Sequence, residues 1–286
     1  MKGTDCKKLK SGKVIYKGLR YGTVLCTVLS LVALFAVIIF VLKDGVGKIN
    51  LNLLFGKYSS RKPTLLPAFC GTLSLVAIAS VIAVPIGVFT AIFLVEYMNN
   101  KGKIVKVIRL AGETLAGIPS IVYGLFGYLI FVSSFGWGYS LLGGGITLAI
   151  MILPVIIRST EESLLAVSDG LREGSYALGA SKVRTIFKIV LPTAAGGIIT
   201  SVILAIGRVV SESAVLILTI GMVVNLTPAS VLSPGTSLAL DIYYFYSHGF
   251  PDEAAATSVV LLVFVLALNL IAGGIGKAIK RKRGEK

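Results

Sequence analysis

The feature that most restricts this chain is a series of long apolar runs. From Tyr21 to Leu42 there is no charged side chain, and five further runs follow: Ala68 to Val95, Arg109 to Phe131, Gly144 to Ile157, Thr193 to Gly221 and Ala256 to Gly276. Crossing a bilayer as a helix takes about 20 apolar residues. Inside hydrocarbon every backbone N–H and C=O must be bonded within its own segment, which a helix achieves. Six such spans use roughly 120 residues of the 286 in the chain. The fourth run is short as drawn and is expected to continue past Arg158. The first is about twice the length of a signal-peptide core and lacks a small-residue cleavage pattern, so it reads as a retained span. The sequence predicts an all-α polytopic membrane protein with six transmembrane helices in one domain.

Composition excludes other classes. Apolar residues make up 55% of the chain and charged ones 14%, against about 25% charged in a soluble domain. The mean hydropathy is +0.90. Although 28 Lys and Arg oppose 13 Asp and Glu, for a net charge of +15, so apolar a chain is a poor nucleic-acid binder and too apolar for disorder. Cys6, Cys26 and Cys70 are widely spaced, and His248 stands alone. Neither a disulfide framework nor a metal site is suggested, and no cofactor is expected.

The basic residues report orientation, because short loops rich in Lys and Arg stay cytoplasmic. Seven precede the first run, four lie at Lys101, Lys103, Lys106 and Arg109, five between Arg158 and Lys188, and six in the C-terminal tail. With both termini inside, these 22 share the inner side. Five (Lys43, Lys48, Lys57, Arg61 and Lys62) are outside, and Arg208 alone falls within a span. The five outer residues either attract an anion, dock an acidic partner, or reflect the drawn boundary.

Ionisable side chains at bilayer depth are costly and tend to face a cavity or a partner. At 100° per residue, Ser201, Arg208, Glu212 and Thr219 fall within about 20° of one line down a continuous fifth helix. Arg208 and Glu212 are spaced i,i+4. Two readings are open: a self-neutralised pair that locks packing, or the lining of a solute path. In the fourth span Thr147, Pro154 and Arg158 share a line, with Glu161 and Glu162 a turn further on. There Arg158 either lines the path or snorkels to the interface beside its own acids. In the third span Glu113, Gly117, Ser120, Gly124 and Gly127 share a face, where the glycines suit close helix packing and Glu113 suits an arginine on another span. Pro119 and Pro85 are expected to bend their helices.

Two buried arginines with acids beside them suit an anionic solute, since guanidinium donors match phosphate or carboxylate oxygens. The glutamates would hold each arginine until an anion displaces them. The chain lacks the means to use ATP itself. No G-x-x-x-x-G-K-[ST] occurs, because none of its five Gly-Lys pairs is followed by Ser or Thr. No catalytic triad is evident either, so active transport would need a partner ATPase.

The segment from Glu173 to Pro192 reads as two short amphipathic helices broken near Gly179, with Pro192 opening the fifth span. It resembles the cytoplasmic EAA loop of ABC-importer permeases: Glu173, Gly179, Ile189, Leu191 and Pro192 match that pattern, with Gly174 and Ser175 in place of its two alanines, and the resemblance implies that these five, with Ala177 and Ala180, couple to the ATPase. The motifs Leu115-Ala-Gly-Ile-Pro-Ser-Ile-Val-Tyr-Gly-Leu-Phe-Gly127, Leu153-Pro-Val-Ile-Ile-Arg-Ser-Thr-Glu-Glu162 and Gly207-Arg-Val-Val-Ser-Glu-Ser213 resemble signatures of phosphate-specific permease subunits. With Asp241-Ile-Tyr-Tyr-Phe-Tyr246 they are most similar to the PstA type. The likeness covers about residues 64 to 275.

The resemblance implies a type I ABC-importer (MetI-like) permease fold. Residues 1–63 would hold the N-terminal tail, first helix and first outer loop, residues 64–276 the permease domain with its coupling loop at 171–192, and residues 277–286 a basic tail. It implies a related second permease (PstC type), a cytoplasmic ATPase dimer (PstB type) and an extracytoplasmic phosphate-binding protein (PstS type). It also implies phosphate passage at Arg158, Arg208 and Glu212, the side chains that the helical lines single out. A sister importer for sulfate, molybdate or phosphonate, and a non-transporting scaffold that recruits anionic lipid, are the alternatives.

Overall fold

The computed structural model of the protein describes residues 3–56, 59, 63–98 and 102–282, with side chains described from residue 16 to residue 276. Lys57, Arg61, Lys62 and Lys101 of the loops lie outside the described residues, as do the side chains of most of the terminal basic residues.

Among the described residues the regular elements are all helical. Helix α1 (Gly3–Gly45) and short α2 (Leu51–Phe55) lead into α3 (Leu66–Ile92), which widens into a π-helical turn at Phe93–Tyr97. Next come α4 (Lys103–Ala116), α5 (Ser120–Gly127) with a π-helical extension to Ser134, and α6 (Leu141–Leu165). Helix α7 (Asp169–Ala177) and α8 (Lys182–Thr185) precede α9 (Leu191–Val210), followed by α10 (Ala214–Thr219), α11 (Leu238–Ser247) and α12 (Pro251–Lys282). Five helical stretches are long and apolar enough to span a membrane, and α4 with α5 makes a sixth if that bent pair is one span.

Helix α6 is the central post. Of its most apolar stretch 61% is buried, against none for α1. Lipid tails are as apolar as leucine, so helices in a bilayer associate through close packing rather than escape from water. The sequence provides for this in α3, where Ala79, Ala83 and Gly87 recur at the four-residue spacing of one helix face and lie against α6. A Cβ on Gly87 would meet Ile156 Cγ2 at 2.7 Å. Leu148, Ile152 and Ile156 of α6 are fully buried in this seam. Helix α9 packs on the other flank of α6, α12 covers α9 and α11, and α1 lies along α12.

Two expected helices are broken. The third span turns through 98° between α4 and α5, so Glu113 and Gly127 do not lie on one continuous helix. Pro119 cannot donate to the ladder, and Tyr123 Oη restores a partner by donating to the Leu115 carbonyl at 2.8 Å. Gly124 and Gly127 do serve packing: a Cβ on Gly127 would meet Thr147 Oγ1 and, at 2.7 Å, Thr219 Cγ2. The fifth span stops at Val210 and resumes at Ala214. Pro85, by contrast, sits inside uninterrupted α3.

The chain after α10 folds back over the start of α6. Leu141 N and Leu142 N donate to the carbonyls of Ser233 and Val231, and Gly235 N donates to Ile220 O. Leu238 N donates to Thr72 Oγ1 at 3.0 Å, tying α11 to α3. Asp241, fully buried on α11 outside the six spans, accepts from Thr236 Oγ1. Burial pushes its carboxyl up to about 8, against the smaller opposing effect of the Thr236 hydroxyl.

Candidate functional site

Charged side chains collect where α4 crosses the second half of α6. Arg158 Nε donates to Glu162 Oε1 at 2.8 Å, one turn along its own helix, and Nη1 reaches Glu113 Oε1 of α4 at 3.3 Å. Glu113 thus finds its arginine on another span. Glu161 is 4% exposed and binds Arg109 of α4, whose Nε donates to Oε1 at 2.8 Å while Nη2 also contacts that oxygen. Such a carboxylate is tolerable only with its partner in place. Between these pairs is a largely apolar cavity of about 230 Å³, bounded by Leu94, Ala116, Pro154 and Ile157 with Arg109 and Arg158 at its edge. The Arg158 and Glu162 side chains are more than half exposed. An anion therefore has access to a guanidinium already held by carboxylates.

Arg208 is differently placed. It projects from the exposed face of α9's last turn, and among the described residues it makes no salt bridge. The expected pairing with Glu212 is not formed because the helix ends between them. Ser211 Oγ bonds back to the Gly207 carbonyl at 2.8 Å, and Glu212 Oε1 accepts from Ala214 N at 3.1 Å and Val215 N at 3.4 Å. The carboxylate is thus bound to the first N–H groups of α10, where a negative charge is favoured. The Ser-Glu-Ser cluster is itself the signal for this break, since these side chains suit helix starts.

The expected line of four polar residues is accordingly split between α9 and α10. Ser201 and Thr219 are buried and bond to their own backbones, at Ile198 O and Val215 O. Ser201 also borders a groove of about 670 Å³ between α6, α9 and α12, with Glu162, Ser163, Thr193 and Thr200.

The segment between α6 and α9 has the expected two-helix form. Gly179 has φ +79°, a left-handed conformation that favours glycine. Its N–H bonds to Tyr176 O, and Ala180 N bonds to Ser175 O, closing the end of α7 as a glycine cap does. Ser175 and Thr185 hydroxyls meet at 2.8 Å and hold α7 against α8. Glu173, Ala177 and Gly179 are exposed and Ala180 half-buried, while Leu178 at the bend is 90% exposed. Ile189 is half-buried, Leu191 opens α9, and Pro192 sits in its first turn, where a missing N–H costs little. The apolar floor of the segment, Ile186 and Val190, packs on Ile92, Leu164 and Val167.

Sequence reasoning missed one pair here. Arg172 of α7 binds Glu96 of the π-helical turn after α3, with Nη2 to Oε1 at 3.0 Å. The two lie 76 residues apart in sequence, and neither shows a helical line that points to the other.

This arrangement of spans, with a broken fifth helix and an amphipathic segment at one end, is the fold of ABC-transporter membrane subunits. A solved methionine ABC transporter in an inward-facing conformation aligns at TM-score 0.59 and 20% identity, covering 75% of this chain and 97% of that one. A bacterial alginate ABC transporter solved with a pentasaccharide-bound periplasmic protein aligns at 0.66 and 16%, covering 91% and 94%. The chain belongs to the family of binding-protein-dependent transport system inner membrane components, whose model matches residues 83–285. Among its relatives, the probable ABC transporter permease YqgI of Bacillus subtilis is 38% identical over 221 residues, 72% of this chain and 75% of the relative. The phosphate transport system permease PstA 1 of Mycobacterium tuberculosis is 36% identical over 221 residues, 76% and 71% of the two chains. That of Pasteurella multocida, PstA, is 34% identical over 233 residues, 80% and 82%. With its apolar helices, the chain is a multi-pass membrane protein of this family.

Proposed function

We propose that this chain is the permease subunit through which an ATP-driven importer carries inorganic phosphate across the cell membrane. The observation that carries the reading is Arg208, a guanidinium on a spanning helix with no salt-bridge partner among the described residues. An arginine at such a depth is costly unless something anionic meets it. The PstA relatives support phosphate as that anion. Arg158 serves as a second station, where Glu113 and Glu162 hold the guanidinium and yield it to the passing anion. Glu212 keeps the gap between α9 and α10 open, and Ser201 and Thr219 lie beside the path.

The ATP-consuming step belongs to a partner. A cytoplasmic ATPase dimer grips Glu173, Ala177, Gly179 and Ala180, with Ile189, Leu191 and Pro192 passing the push into α9. Leu178 is the apolar tip of that contact. A second, related permease completes the path, and an extracytoplasmic binding protein delivers phosphate to the opposite end. The excess of Lys and Arg on the α7 side supports a reading with both termini in the cytoplasm. The permease domain is residues 64–276, preceded by the tail, α1 and first loop of residues 1–63 and followed by the basic tail of residues 277–286.

Uptake of labelled phosphate by the reconstituted complex tests this, with sulfate and phosphonate as competitors. Arg208→Gln should lower uptake about ten-fold or more, since a hydrogen bond to a charged group is worth about 1.5–3 kcal/mol. Wild-type uptake by Arg208→Gln at normal membrane abundance, or stronger competition by sulfate than by unlabelled phosphate, would overturn the assignment.

A further inference from the structure

The buried pair between Arg172 and Glu96 has a geometry that the proposed solute path does not use. Arg172 Nε and Nη2 both donate to Glu96 Oε1, at 3.2 and 3.0 Å. Nη1 donates to Val167 O at 2.7 Å and Asp169 Oδ1 at 3.1 Å, and Nη2 to Leu164 O at 3.0 Å. The two side chains are only 13% and 5% exposed. Leu164 belongs to the last turn of α6, where carbonyls have no partner within the helix. One guanidinium on α7 thus caps α6 and binds the end of the second span together. A second tie lies alongside, where Lys182 Nζ of α8 sits 4.8 Å from the centre of the Tyr97 ring.

The covalent layout explains why such a tie matters. The segment of α7 and α8 continues directly into α6 on one side and α9 on the other, so any movement of it reaches those two helices through the backbone. The second span has no such link. It meets α6 along a seam of small residues, and packed helices can slide by small shear steps. A multidentate guanidinium–carboxylate pair fixes direction as well as distance, and its burial shields it from screening.

Resting on the importer reading above, we propose that Arg172 is a positioning residue that makes the second span move with α7, with Glu96 as its anchor on that span. Movement imposed by the ATPase then displaces α3, α6 and α9 as one body. Without the pair, α6 and α9 move and α3 lags, so ATP is hydrolysed with less solute carried.

The test is the ratio of phosphate imported to ATP hydrolysed by the reconstituted complex. Two variants are compared with wild type, Arg172→Lys and the double variant Glu96→Met with Arg172→Met. The double variant removes both charges and fills their space with apolar side chains, a replacement that is often neutral or stabilising, so it separates the tie from mere stability. Both variants should lower phosphate carried per ATP about five-fold or more, the span of ordinary coupling energies. Wild-type ratios in both would overturn the proposal. If the double variant does not accumulate, Arg172→Lys decides alone, because it keeps the charge but loses the fork. A wild-type complex that hydrolyses ATP and imports no phosphate would instead refute the importer reading.

Discussion

The two ends of the α6 post are closed by different chemistry. At the end leading into α7, charged side chains meet across elements: Arg109 with Glu161, Arg158 with Glu113, Arg172 with Glu96. At the other end, where the chain after α10 folds back, the ties to α6 and between α3 and α11 are backbone hydrogen bonds and neutral groups, Leu141 and Leu142 to Ser233 and Val231 and Thr72 to Leu238. Among the described residues the cross-element ion pair on that side, Lys48 with Asp252, joins solvent-accessible side chains away from α6. The one acid sealed there, Asp241, is held in its neutral form through much of the ordinary pH range. Charged pairs are strong only while both members stay in place. They suit an end that is pushed as a unit, whereas neutral bonds suit an end that has only to stay shut.

The contrast can be broken most directly at Glu161. Arg109→Met leaves that buried carboxylate without its guanidinium and should cost about 3–5 kcal/mol, read as a fall in the thermal midpoint of the purified protein. At the neutral end Thr72→Val removes the acceptor of the Leu238 N–H, and leaving that buried donor unpaired should cost about 1–3 kcal/mol. A larger loss from Thr72→Val than from Arg109→Met would overturn the distinction.

The remaining expected effect concerns pH. The Asp241 carboxyl is raised in the folded protein from 3.8 to about 8, so between those values the folded state binds more protons than the unfolded one. Its contribution to stability is therefore greatest at acid pH and is lost as pH rises toward and through 8. Asp241→Asn should flatten the fall in thermal midpoint between pH 5.5 and pH 8.5. An unchanged slope in that variant would show that this end does not depend on a neutral acid.

Much of this architecture was legible because hydrocarbon imposes a simple code. The apolar runs marked the spans, Pro119 marked the bend between α4 and α5, and Gly179 marked the break between α7 and α8. Half of one ion pair was legible too, as Glu113 was expected to meet an arginine on another helix, and it meets Arg158. The line through Ser201, Arg208, Glu212 and Thr219 assumed an unbroken helix. It failed at Ser211-Glu212-Ser213, where side chains compete with the helix for backbone groups. The Arg172–Glu96 pair was hidden for another reason. Helical periodicity relates residues within one element, and these two meet only because α6 carries α7 back to the end of α3.

Helix α1 has a consequence for how the molecule is made. None of its apolar stretch is buried, and it lies along α12, close enough that a Cβ on Gly45 would strike the Ala255 carbonyl. Helix α1 thus docks on a helix that is synthesised about 200 residues later. At synthesis rates of about 5–20 residues per second, α1 waits on the order of 10 to 40 s in lipid before its seat exists. Within its apolar run the hydroxyls of Thr23, Thr27 and Ser30 bond back to the helix's own carbonyls, so α1 can wait there with those groups paired, which is what it has in place of a core.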